Sequence, residues 1–297
     1  MRSPFHEKLL QSGLSAKLIK SHALSEMDMC RMLGIIGVNS ITPLKHLIHA
    51  ECSLLRQAEL GRQGDGWGVG YYLDGTPRLF RSEKPVYSEP DLFRRIAASI
   101  SSRIIIAHVR KASTPRGLPR DELIGVENSQ PFKYHDRMFA HNGVIRAVDE
   151  VMKFLGEYRS IIMGNNDSEV YFALLMRGWD LEGDVYRALK WIEEIFSKVM
   201  ESSYKDRNPF TSLNAIFSDG EKLYAYNRYL EGSNLKSICY KDSPYYTLTF
   251  LDQGDVLIVA SEKLWRDEGW TNLGNGDLLT AWIDGEEVRY DVEHVLG

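Results

Sequence analysis

Cysteine is scarce in this 297-residue chain: three residues, at 30, 52 and 239, with no C-x-x-C pair. That excludes a disulfide framework and offers no zinc-finger spacing. Cys52 and Cys239 are expected as packing residues, and a reducing, cytoplasmic setting fits best. No apolar run approaches the ~18–20 residues that span a bilayer, so no membrane anchor is expected. A Lys/Arg-rich block is missing too. The formal net charge is -5 with both signs mixed along the chain, which argues against nucleic acid and anionic membrane as partners. Repeats and low-complexity linkers are absent. What remains is 43% hydrophobic and 26% charged, the balance of a globular protein with a sizeable core.

The apolar pattern supplies the elements. MLGIIGV at 32–38 reads as a buried strand, followed by a helix over 43–60 with Pro43 in its first turn. Strands at 66–73 and 78–81 flank the Asp74-Gly75 turn, a hairpin signal. A helix over 91–100 leads to the strand RIIIAHV at 103–109, and RMFAHN forms another strand ending at Asn142. Helices are expected at 167–177 and 183–200. Short strands follow at 212–218, 222–228, 235–240, 245–251, 255–260, 278–283 and 286–290. Helices set between groups of hairpin-linked strands imply an α+β fold with antiparallel sheets. Ahead of all this, Glu7 to Leu24 could form a short helix in an N-terminal extension.

Three segments carry chemistry-bearing side chains: Met29-Cys30-Arg31-Met32-Leu33-Gly34, His108-Val109-Arg110-Lys111-Ala112-Ser113 and His141-Asn142-Gly143. Each alone has a plain structural explanation. The glycine-rich run Gly64-Asp65-Gly66-Trp67-Gly68-Val69-Gly70 is not a phosphate loop. Its glycines fall at every second position and no Lys-Ser/Thr follows. On a strand that spacing puts Gly64, Gly66, Gly68 and Gly70 on one face, open to close approach, with Trp67 and Val69 packing on the other. His46, His49 and Cys52 drift around a helix and do not converge on one metal, so no metal is expected.

In order and spacing these segments resemble the class II glutamine amidotransferases. The resemblance is nearest to stand-alone members that begin Met-Cys-x-Leu-Leu-Gly. The motifs are DGWG at 65–68, HVRKAS at 108–113, ENSQPF at 127–132, AHNG at 140–143, NDSE at 166–169 and VASEKL at 259–264. The resemblance implies a four-layer αββα sandwich, the N-terminal nucleophile hydrolase fold, over residues 30–297. It implies Cys30 as nucleophile, with its own α-amino group as base. That group's ordinary pKa of ~7.7–8.0 suits proton transfer at neutral pH, whereas a thiol near ~8.5 needs activation. It implies an oxyanion hole from Asn142 and Gly143, a carboxylate clamp from Arg110 and Ser113, and an ammonium ligand in Asp167. His108, His141, Gly66 and Trp67 take supporting roles, and no cofactor is implied.

The α-amine is free only if residues 1–29 are absent from the working protein. Either translation starts at Met29, with Met then removed, or a leader is cleaved after it; the Met27-Asp28-Met29-Cys30 context favours the first. Three functions follow. The chain hydrolyses L-glutamine, supplying glutamate or passing ammonia to a separate synthase chain. It hydrolyses another γ-glutamyl amide or conjugate instead. Or it is a non-catalytic regulatory subunit. Lys111 and Thr114 depart from the Trp and His of synthase-linked members, which bears on the leaving-group pocket. Homo-oligomerisation is compatible with all three.

Overall fold

The strand β1 (Arg31–Ile41) shows why this sequence makes layers. Its side chains alternate: Met32 and Ile36 join one apolar cluster, while Leu33 and Ile35 join another. A strand apolar on both faces must be covered twice, once by a second sheet and once by helices. The computed structural model shows that arrangement, and it describes residues 30–231, 235–266 and 269–296. The Glu7–Leu24 helix expectation lies outside these residues.

Along the chain, β1 is followed by α1 (Leu54–Gly61), β2 (Trp67–Leu73), β3 (Thr76–Ser82), α2 (Pro90–Ser99) and β4 (Ser102–Val109). Next come β5 (Phe132–Tyr134), β6 (Arg137–Asn142), α3 (Val148–Met152), α4 (Asp167–Glu182) and α5 (Val185–Ser203). The last part holds β7 (Asn214–Ser218), β8 (Lys222–Asn227), β9 (Thr249–Asp252), β10 (Val256–Ala260), β11 (Thr271–Asn272), β12 (Asp277–Asp284) and β13 (Glu287–His294). One sheet runs β11-β9-β10-β1-β4-β2-β3 and the other β13-β12-β8-β7-β6-β5, with antiparallel pairing throughout.

Three cores fill the gaps. Met32, Ile106, Met138, Ile216 and Leu279 pack between the sheets. Leu33, Trp67, Phe93 and Ile105 pack the first sheet against α1 and α2. Phe139, Phe217, Leu175 and Phe196 pack the second against α4 and α5. The fold is therefore α+β, in αββα order. The glycine alternation in β2 serves this stacking. A Cβ on Gly68 would lie 2.4 Å from the Gln130 carbonyl and one on Gly70 2.6 Å from Met138 Sδ, whereas Trp67 and Val69 face the helices.

The structure corrects three expectations. The helix over 43–60 is broken: a single turn at Lys45–His49 ends at extended Ala50 (φ -60°, ψ 150°), and α1 starts afresh after Ser53, whose side chain accepts the Arg56 N–H. The chain leaves the helix there because the Cys52 N–H donates to the Leu264 carbonyl and its sulfur is bonded to Cys239. No strand forms over 235–240. The Ile238 and Cys239 N–H groups donate to the Glu262 carboxylate instead of a neighbouring strand, and pairing shrinks to a Lys236–Pro244 bridge. Cys52 and Cys239 are not mere packing residues; they form a disulfide across 187 positions, with Cα atoms 6.2 Å apart.

Thiol titration of the denatured chain without reductant should accordingly give one reactive thiol, from Cys30, and three after reduction. Three before reduction would show the bridge to be absent.

Candidate active site

The first sheet delivers two of the expected residues to one edge. In the antiparallel β1–β4 register Arg31 faces Val109, so Cys30 and Arg110 leave the ladder at the same end. Gly66 joins them, since the Arg110 N–H donates to its carbonyl. Gly66 has φ +124°, and a Cβ there would come within 2.3 Å of Ser129 Oγ, so only glycine fits. Trp67 pairs with Val109 at this same end, but its side chain turns to the helix side, donating to Glu89 and packing against Phe80 and Phe93.

Cys30 is buried, and its Sγ lies 3.4 Å from both the N and the O of Lys111. Burial pushes its thiol up to about 11, against the opposing pull of the Lys111 N–H and the Arg110 charge, with Asp167 and Asp65 adding to the rise. A thiol so placed is protonated at neutral pH and requires a base. The Lys111 ammonium turns away, to the Arg62 carbonyl.

Arg110 is also buried, and its Nη1 donates to the carbonyls of Asp65 and Leu123. Burial lowers its pKa, while its electrostatic interactions with Cys30, Asp65 and Asp167 oppose the drop. Asp65, fully buried, accepts the Ala112 N–H at 2.7 Å and pairs with Arg120, fixing the loop behind Arg110. This role of Asp65 was missed from sequence; its signal is an acid at the mouth of the glycine-rich strand.

The second sheet delivers the rest. Asn142 ends β6 with 1% exposure, and among the described residues neither its Oδ1 nor its Nδ2 has a hydrogen-bond partner. Gly143 follows in a cramped turn: a Cβ would sit 2.0 Å from the Ser212 carbonyl. Asp167 opens α4 behind the cap Asn166. It accepts the Ile145 N–H at 2.6 Å and the Ser113 hydroxyl at 3.3 Å. Burial raises its carboxyl to about 6, although these bonds and Arg110 lower it. Ser113 thus touches both the HVRKAS loop and Asp167.

The two histidines are structural. His108 Nε2 donates to the His141 carbonyl at 3.2 Å, tying β4 to β6. His141 Nε2 donates to the Ser212 carbonyl at 3.0 Å, and its Nδ1 accepts from Ser168. Burial lowers His108 to about 3 and His141 to about 4, so both are neutral and neither relays protons at neutral pH. The motif residues Asn128 and Gln130 likewise brace the site: Asn128 accepts from Asn165 and Asn166, and Gln130 accepts the His141 N–H.

Among the described residues, potential ligand atoms gather within 4.8 Å of one another at Cys52, Cys239 and Glu262. The two sulfurs are bonded to each other, which removes them as ligands. His46 and His49 are not part of that group. Among the described residues no helix is long and apolar enough to cross a membrane.

The arrangement has a buried thiol, a buried guanidinium, a buried carboxylate and an unpartnered amide, which suits acyl transfer from an amide. A sequence model of the family described as "Glutamine amidotransferases class-II" matches residues 29–295. A probable glutamine amidotransferase of Saccharomyces cerevisiae is 30% identical, over 85% of this chain and 81% of its own. A gamma-glutamyl-hercynylcysteine sulfoxide hydrolase of Mycobacterium tuberculosis is 28% identical, over 86% of this chain and 94% of its own. In fold, a glutamine aminotransferase class-II domain protein from Silicibacter pomeroyi superposes with TM-score 0.56 at 22% identity, over 88% of this chain and 98% of its own. The match across nearly the whole described chain identifies it as an enzyme belonging to the class II glutamine amidotransferases.

Proposed function

We propose that this enzyme hydrolyses the side-chain amide of L-glutamine to glutamate and ammonia, through a γ-glutamyl thioester on Cys30. The observation that carries the reading is the unpartnered Asn142 amide. Leaving such a group buried costs ~1–3 kcal/mol, and an oxyanion accepting from its Nδ2 recovers that. With the Gly143 N–H as second donor, stabilisation arises in the transition state, where it accelerates the reaction.

Arg110 grips the substrate α-carboxylate, helped by Ser113, and Asp167 holds the α-ammonium. The Cys30 α-amine takes the thiol proton as Sγ bonds to the amide carbon. The proton passes to the departing nitrogen as the C–N bond breaks, releasing ammonia. Water then attacks the thioester carbon and gives up a proton to the amine. The S–C bond breaks, glutamate leaves and the thiol is restored. This requires Cys30 as the first residue, through a start at Met29 or removal of a leader, and the family match begins at Met29. Any amination would fall to a separate ammonia-accepting chain. A γ-glutamyl conjugate is the second reading, supported by the mycobacterial relative, which aligns over nearly its whole length. Arg110 and Asp167 would hold the γ-glutamyl part in the same way.

Glutamate release by protein beginning at Cys30, checked by intact mass, should vanish in Cys30→Ala and in protein retaining residues 1–29. Activity with the Cys30 nitrogen in a peptide bond would end this reading, and turnover only of γ-glutamyl conjugates selects the second.

Asn142→Ala should lower kcat ~100- to 1000-fold with KM little changed, because Nδ2 acts on the oxyanion and not on the bound ground state. A rise confined to KM contradicts the assignment.

Asp167→Asn should raise KM for glutamine and also stabilise the fold. The folded carboxyl is raised to about 6 from 3.8. At pH 8 it is ionised in both folded and unfolded chains, and burial costs the fold about 3 kcal/mol. Below about pH 4 it is protonated in both states, and the cost is gone. Denaturant titration should show the variant more stable at pH 8 and level with wild type near pH 3.5. In wild type, kcat/KM should fall below about pH 8 as the α-amine base is protonated, and more steeply below about 6, where protonated Asp167 also loses the ammonium.

A further inference from the structure

In the proposed working form Cys30 has no preceding residue, so its backbone must be held from one side only. The Lys111 backbone contacts its sulfur, but a sulfur contact leaves the chain free to turn about the Cα. The other restraint is Arg31, whose Nη1 donates to the Cys30 carbonyl at 2.9 Å. The Arg31 side chain is fully buried, its guanidinium 3.9 Å from the centre of the Tyr245 ring. Nη2 lies 3.4 Å from Oε1 of Glu262, which is equally buried.

Glu262 follows β10, whose register with β1 pairs Leu33 with Ala260, so it stands across from Arg31 where the ladder ends. Its two oxygens accept the N–H groups of Ile238 and Cys239, and Cys239 is bonded to Cys52. The carboxylate is thus held by two N–H groups of one segment, which the disulfide ties to Cys52. Arg31 is satisfied less completely: among the described residues its Nε and Nη2 make no hydrogen bond. A buried ion pair of this kind adds little stability over apolar side chains of similar volume. Its use is geometric.

We propose that Glu262, acting through Arg31, is a positioning residue for the nucleophile. The carboxylate anchors the guanidinium, the guanidinium holds the Cys30 carbonyl, and the carbonyl sets the direction in which the α-amine and Sγ leave the same Cα. The amine and sulfur must both reach the substrate amide, and misplacement by about 1 Å can cost ~100-fold in rate. The inference rests on Cys30 being the nucleophile of the proposed reaction.

Glu262→Gln keeps the shape and removes the charge. It should lower kcat with glutamine ~10- to 100-fold at unchanged KM, since Arg110 and Asp167 still hold the substrate, and slow alkylation of Cys30 by a glutamine-like chloroketone in proportion. Arg31→Lys, which offers one point donor in place of a fork, should do the same. The two changes together should cost no more than the larger alone. Should a single change fail to fold, the pair Arg31→Met with Glu262→Leu removes both charges at similar volume, and low kcat in that folded protein supports the role. Wild-type kcat in folded Glu262→Gln or in the apolar pair overturns it, as does a rise confined to KM. Cys30→Ala is the control: residual turnover there defeats the nucleophile assignment itself, a different failure from a wild-type Glu262 variant beside an inactive Cys30→Ala.

Discussion

The hydrogen bond from His108 Nε2 to the His141 carbonyl pins the two sheets together at the end where the site lies. Two residues past His108 comes Arg110, and one and two past His141 come Asn142 and Gly143. The tautomers are dictated by carbonyls: His108 must carry its proton on Nε2, and so must His141, which donates to Ser212. Burial keeps both rings uncharged. This joint registers a guanidinium from one sheet against an amide from the other, and the two arrive from strands that share no ladder.

Around the joint, charge is assembled away from water. The Cys30 thiol is pushed up to about 11 and the Asp167 carboxyl to about 6, both chiefly by burial, with Arg110 opposing each rise. Asp65 and Arg120 form a further pair behind the same loop. Groups kept dry in this way interact with one another, and with any charged ligand, more strongly than exposed ones would. The same burial makes the free site costly to fold, a trade common where function sets the residues.

Much of this was legible in residue order. The continuous apolar run MLGIIGV marked a buried strand, which the structure covers on both faces, and the period-two glycines marked a face open to close approach, which at Gly68 and Gly70 the Gln130 carbonyl and the Met138 sulfur fill. Cys30, Arg110, Ser113, Asn142, Gly143 and Asp167 were singled out through motifs; Arg110 and Asp167 act electrostatically on Cys30 and Ser113 bonds Asp167, while Asn142 and Gly143 stand at the end of the second sheet with the Asn142 amide unpartnered among the described residues. The Trp67 side chain packs against the helices, and Asp65 and Glu262, though inside the DGWG and VASEKL motifs, were given no role. Neither acid belongs to a periodic pattern; each is defined by backbone N–H groups that other segments bring to it.

The region over 235–240 shows the limit most plainly. Its composition is strand-like, yet its N–H groups are claimed by a carboxylate from residue 262. The break after His49 and the Cys52–Cys239 bridge have the same origin, contacts between segments far apart in sequence. Local apolar periodicity, turn residues and motif spacing determined the layers, most elements and the chemical groups, because those depend on side chains a few positions apart. Which buried polar groups find partners, and which, like Asn142, are left without one, was decided by the tertiary structure, because a hydrogen bond across the fold is a property of two distant residues and is written in neither alone.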